Sequence, residues 1–149
     1  MSETKEKLIA EAREYVEERS SRVQSAIDDL QAALKLETKG SMGDKYETGR
    51  AMLHLEYEKL SGQMEQYTRL KKTINSIPPG KQEKAGFGSL VKTTAANYFI
   101  AIPAGEMEAD SQKYFAVGVG SPVALAILYK EENDEFILNG NTHKILEIE

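Results

Sequence analysis

Apolar residues recur at helical spacing from Glu3 to about Glu37. Ile9, Val16, Val23 and Leu30 fall seven apart, Ala12, Ala26 and Ala33 take the partner positions, and Arg19 interrupts them. Leu8, Ile27 and Leu34 widen the stripe, while the remaining faces hold mostly Glu, Arg, Lys, Gln and Ser. This heptad seam predicts one long amphipathic helix. A second seam runs through Leu53, Tyr57, Leu60, Met64, Tyr67 and Ile74, with Lys71 as its polar member. Between them, Thr38-Lys39-Gly40-Ser41-Met42-Gly43 combines helix-stopping glycines with polar residues. A short connection between helices of matching length makes them antiparallel. The N-terminal half therefore reads as a helical hairpin of coiled-coil type, with arms of roughly 50 Å at ~1.5 Å per residue.

The pattern shortens after Ile77-Pro78-Pro79-Gly80, and no proline precedes Pro78. Pro-Pro-Gly cannot continue a helix. We read residues 1–76 as the hairpin, 77–85 as a linker and 86–149 as a second domain. Ser89 to Thr93 is a weakly alternating first strand. Asn97 to Ile102 and Lys113 to Val117 are richer in aromatic and branched residues. Ser121-Pro122 opens a short apolar helix, Val123 to Leu128, with proline at a favoured first position. Glu135 to Leu138 and Thr142 to Ile148 flank Asn139-Gly140-Asn141, a tight hairpin turn. The expected class is α+β: a hairpin followed by a small antiparallel sheet packed by one short helix.

Composition narrows the chemistry. The 149 residues contain no cysteine, which excludes disulfide frameworks, thiolate nucleophiles, zinc ribbons and iron–sulfur clusters. The net charge of −5 argues against a general nucleic-acid surface. The acidic surplus lies mainly beyond residue 76, with 6 basic against 10 acidic residues there and 13 against 14 before it. Such a domain suits a basic protein surface. No apolar run is long enough to span a bilayer and no signal core follows the N-terminus, so a soluble cytoplasmic protein is expected. His54 and His143 sit in different halves without ligand spacing, and Gly86-Phe87-Gly88-Ser89 is too short to be a phosphate loop. No free-standing enzyme site is visible.

The connection between the helices offers more. Asp44 and Glu47 stand three apart at the start of the second helix, on one face. One reading is a helix cap, with Asp44 at the N-cap and Glu47 completing a capping-box-like pair. The other is half of a Mg²⁺ site completed by a partner. Lys45 and Arg50 flank the pair as candidate phosphate contacts.

Together these residues resemble the bacterial Gre-type transcript cleavage factors. That family carries Gly-Asp-x-x-Glu at the hairpin tip, here Gly43-Asp44-Lys45-Tyr46-Glu47, with Thr48 where Asn is usual. Its C-terminal signature of Ser-Pro, apolar helix, lysine and two last strands is matched by Ser121-Pro122, Ala126-Ile127-Leu128, Lys130 and the hairpin ending at Glu149. Leu125 replaces an arginine and Tyr129 a glycine of that pattern. The resemblance implies an FKBP-like C-terminal domain that docks on RNA polymerase, with Ser121, Pro122 and Lys130 at the contact. It further implies a tip that enters the polymerase's secondary channel, where Asp44 and Glu47 hold a Mg²⁺ shared with the polymerase. The polymerase then cleaves backtracked RNA, with Lys45 and Arg50 near the nascent 3′ end. On this reading the chain is an accessory factor, not itself an enzyme, and neither a membrane nor specific DNA is a partner. A non-cleaving channel regulator and a coiled-coil protein adaptor are the alternatives.

Overall fold

The computed structural model describes residues 2–39 and 43–149, and the side chains of residues 2–36 and 48–149. Two long helices, α1 (Glu3–Lys39) and α2 (Gly43–Asn75), precede strands β1 (Leu90–Thr93), β2 (Asn97–Ile100), β3 (Gly105–Ala109) and β4 (Gln112–Val117). Helix α3 (Pro122–Ile127) and strands β5 (Glu135–Leu138) and β6 (Asn141–Ile148) complete the α+β fold. Among the described residues no helix is long and apolar enough to cross a membrane. The chain forms two compact units, Met1–Tyr15 with Lys72–Glu149, and Val16–Lys71.

The helices run antiparallel. Arg13 donates to Asn75 at 2.6 Å in the first unit, and Lys71 pairs with Glu17 at 3.1 Å in the second, so a step forward on α1 is a step back on α2. The α1 seam is Leu8, Ala12, Val16, Ser20, Val23, Ile27 and Leu30. It departs from the expected register at two places. Leu8 is buried rather than Ile9, and Ser20 occupies the inner position beside Arg19. Steps of four through Leu8, Ala12, Val16 and Ser20 phase the stripe differently from a strict heptad. The Ser20 hydroxyl is satisfied locally by donating to the Glu17 carbonyl at 3.2 Å. On α2, Leu70 is half-buried while Lys71 is exposed, so leucine holds the slot that sequence spacing assigned to lysine.

The sheet order is β3-β4-β2-β1-β6-β5. Its pairings are antiparallel except β2 with β4, which run parallel and in register from Tyr98↔Phe115 to Ile100↔Val117. The central strands carry consecutive buried residues, Leu90-Val91 and Tyr98-Phe99-Ile100, so both of their faces are covered. On one face Val91, Ile100, Phe136, Ile145 and Ile148 pack with Ala124 and Ile127 of α3.

Two features escape simple alternation. Strand β3 was not expected. Its Met107 and Ala109 are buried between exposed glutamates, and Asp110-Ser111 closes the β3–β4 hairpin with φ of 51° and 64°, a two-residue turn without the usual glycine. Where β1 pairs with β6, the register shifts: Lys92 and Thr93 of β1 face Glu147 and Ile145, which leaves Leu146 of β6 as the extra residue. The bulge lets Ile145 and Ile148, three apart, both face the core.

Local polar contacts tie the start of α1 to the sheet of its own unit. Thr4 and Lys7 donate to the Asp110 carboxylate at 2.7 and 2.6 Å, and Ser2 donates to Glu149 at 3.3 Å. Lys5 is 1% exposed, and its ammonium donates to the Gly80 carbonyl at 3.2 Å. Burial lowers the Lys5 pKa, partly opposed by Glu149. Ile77 and Pro78 pack against Gly88, where φ is +85° and a Cβ would lie 2.7 Å from Pro78 Cδ.

Gly88→Ala should therefore lose at least about 2 kcal/mol in urea unfolding, from strain and overlap together. Unchanged stability would contradict the packing of Pro78 on Gly88. The hydrogen bonds from Lys7 and Thr4 hold the Asp110 carboxyl below the usual carboxylate range. Its stabilisation is present above that range and is lost as pH falls through the folded-state value. Asp110→Asn, which suits the turn, should destabilise the chain at neutral pH by an amount that shrinks toward zero in acid. A pH-independent difference in melting temperature would show that charge is not involved.

Candidate functional site

The residues singled out by sequence fall at two places. Asp44, Lys45 and Glu47 belong to the first turn and a half of α2, whose helical backbone begins at Gly43. Their side chains lie outside the described residues. The helical backbone puts Asp44 and Glu47 three apart on one face, and it puts Asp44 inside the helix rather than before it. Carboxylates in that turn are favoured by the helix dipole, and hard oxygen donors suit Mg²⁺. Arg50 follows on α2 with an exposed side chain. Among the described residues no group of three or more His, Asp or Glu is placed to hold a metal. His54 is exposed on α2, and the His143 ring lies tilted against that of Phe136 with 5.6 Å between centroids.

The second place is α3. Ser121 has extended dihedrals, φ −67° and ψ 154°, and its hydroxyl accepts from the Ala124 amide at 3.2 Å. The Ser121 carbonyl accepts the Leu125 amide at 3.0 Å, the first bond of the helix. Pro122 follows at the first helical position with its missing N–H doing no harm, and it is exposed. Val123, Ala124 and Ile127 point into the core. Ser121 is thus an N-cap that fixes the helix, and Pro122 is the part of the pair offered outward. Lys130 is half-buried, and its carbonyl accepts the Ala85 amide at 2.8 Å.

In the sequence Leu125 and Tyr129 stand out only as departures from the Gre-type pattern. In the structure they are the most exposed large apolar side chains of this region, at 59% and 74%. Tyr129 has φ of 65°, which costs a non-glycine residue about 1 kcal/mol. An apolar residue at a helix C-terminus where glycine is the common choice was the available signal.

No protein-family profile matches the chain, and no curated protein matches it. Among solved structures, the GreA factor homolog 1 (Gfh1) protein of Thermus thermophilus is similar at 14% identity, covering 92% of this chain and 94% of that one, with a TM-score of 0.36. A structure of the transcription factor Gfh1 is similar at 15% identity, covering 92% of each chain, also with a TM-score of 0.36. Thermus aquaticus Gfh1 matches at 14% identity, covering 91% of this chain and 92% of that one, with a TM-score of 0.33.

The cap assignment is testable by itself. Ser121→Ala should lose about 1 kcal/mol of stability, while Ser121→Asp, which retains an acceptor, should lose much less. Equal losses from both variants in urea unfolding would remove the capping role.

Proposed function

We propose that this chain binds RNA polymerase in its secondary channel and stimulates cleavage of backtracked RNA. The observation that carries the reading is the placement of Gly43-Asp44-Lys45-Tyr46-Glu47 at the start of α2, next to the connection between two long antiparallel helices. In the same chain, an N-capped Ser121-Pro122 helix packs on a β-sheet. Either motif alone is short. Their order on this architecture is what the resemblance to Gre-type factors requires.

In this mechanism Asp44 and Glu47 are the residues that would hold a Mg²⁺ shared with the polymerase, and the ion would supply Lewis-acid activation of a water. The pair would orient a water toward the scissile phosphate, and Lys45 and Arg50 would neutralise phosphates near the nascent RNA 3′ end. The factor is an accessory and not an enzyme: the catalytic centre belongs to the polymerase. Pro122, the Ser121 cap that positions it, and Lys130 contribute to docking. The setting is the cytoplasm, where the polymerase works.

Thr48 supports a second reading. It stands where the resembled family usually has Asn, directly after Glu47, and a channel-binding regulator of the same architecture would block or modulate the polymerase without cleavage.

The test uses purified polymerase stalled in a backtracked complex. Wild type should shorten the RNA faster than polymerase alone, and Asp44→Asn or Glu47→Gln should each lose most of that gain, at least about tenfold in rate. Binding without stimulation by wild type would establish the non-cleaving regulator. Variants that cleave like wild type would reduce the acidic pair to a helix-terminus device.

A further inference from the structure

The chain has five asparagines, and only Asn139 is followed by glycine. Asn139 and Gly140 are the two central residues of the β5–β6 hairpin, both exposed, with φ of 54° and 79°. Two positive φ values make this a type I′ turn, closed by the pair Leu138↔Asn141. The Gly140 amide lies inside that two-residue loop and so stands outside the ladder. Glycine places no side chain between this nitrogen and the side-chain amide before it. A Cβ on Gly140 would meet nothing within 4 Å, so a small ring and an incoming water have room.

The other four asparagines lack this combination. Each precedes a residue with a side chain: Ser76, Tyr98, Asp134 and Thr142. The Ser76 amide, which would attack Asn75, donates to the Lys72 carbonyl at 3.1 Å, and the Asp134 amide donates to the Glu131 carbonyl at 3.1 Å. The side chains of Asn75 and Asn97 are also held, by Arg13 at 2.6 Å and by the Lys113 carbonyl at 3.2 Å.

The geometry points to Asn139-Gly140 as a self-modifying site whose only co-reactant is water. The Gly140 nitrogen attacks Asn139 Cγ, the bond from Cγ to the side-chain nitrogen breaks, and the amide proton departs with it as ammonia. A five-membered succinimide is left. Water then opens the ring at one of two bonds. Cleavage between Cγ and the Gly140 nitrogen leaves an ordinary aspartyl residue, whereas cleavage at the Asn139 main-chain carbonyl leaves an isoaspartyl link. Nothing is oxidised or reduced.

The two products differ in what they do to the fold. Aspartyl-glycine suits the same turn and only adds a negative charge. The isoaspartyl link inserts one further backbone carbon into a loop of two residues, whose length sets the register from Leu138↔Asn141 to Glu135↔Lys144. Phe136 and Ile145 of these strands belong to the core that α3 covers, so a shifted turn loosens the support of α3. The turn is a slow covalent timer on the C-terminal sheet, whatever the chain binds.

Full-length wild type and Asn139→Gly are aged in mildly alkaline buffer, and each asparagine is followed by peptide mapping with an isoaspartyl methyltransferase assay. Gly-Gly keeps the type I′ turn, so Asn139→Gly should melt within about 4 °C of wild type. Asn139 should be converted at least about tenfold faster than any other asparagine. Aged wild type should gain a lower-melting population that aged Asn139→Gly and freshly purified Asn139→Asp both lack. Conversion of Asn139 no faster than of the others, or conversion in urea but not in buffer, would overturn the site. Rapid conversion with unchanged melting would overturn the timer.

Discussion

Strands β1 and β2 are buried on both faces, and most of the C-terminal architecture answers that constraint. A strand pair with Leu90 and Phe99 on one side and Val91 and Ile100 on the other exposes apolar surface twice over unless both sides are covered. Helix α3 covers the Val91 side, and its six residues can do so because Ser121 and Pro122 start it at a defined point. The same compact unit contains the first turns of α1, the last of α2 and the segment that follows it, where Leu8, Ile74 and Ile77 are buried. The polar contacts of Ser2, Thr4, Lys5 and Lys7 order the beginning of α1 within that unit.

Much of this was legible in the residues because long helices repeat their signal many times. The α1 and α2 seams each extend over many turns, so an error of one position, Arg19 for Ser20 or Lys71 for Leu70, leaves the element intact. The strands offer no such redundancy. Gly105 to Ala109 alternates only twice, and its turn uses Asp110-Ser111 rather than an asparagine–glycine pair, so β3 was invisible. The parallel β2–β4 pairing was equally hidden, because short-range pattern predicts strands but not which neighbour each will choose. In β6 the bulge at Leu146 breaks the period of two that sequence reading depends on.

The candidate sites divide similarly. The carboxylate pair at the start of α2 and the Ser121-Pro122 helix start were readable because each is a contiguous motif whose spacing has a physical reason. The exposure of Leu125 and Tyr129 was not, because it depends on which side of a six-residue helix meets the core. A strained tyrosine becomes visible only when its φ is known.

On the proposed function, residues at the start of α2 reach the reacting end of the RNA inside polymerase. The chain has no cysteine, so Lys45→Cys creates a single attachment point for a photo-crosslinker. Irradiated in a backtracked elongation complex, the labelled protein should crosslink to the 3′ segment of the RNA or to the polymerase active-site region. Crosslinks confined to the outer surface of the polymerase, or none above a free-label control, would contradict the claim.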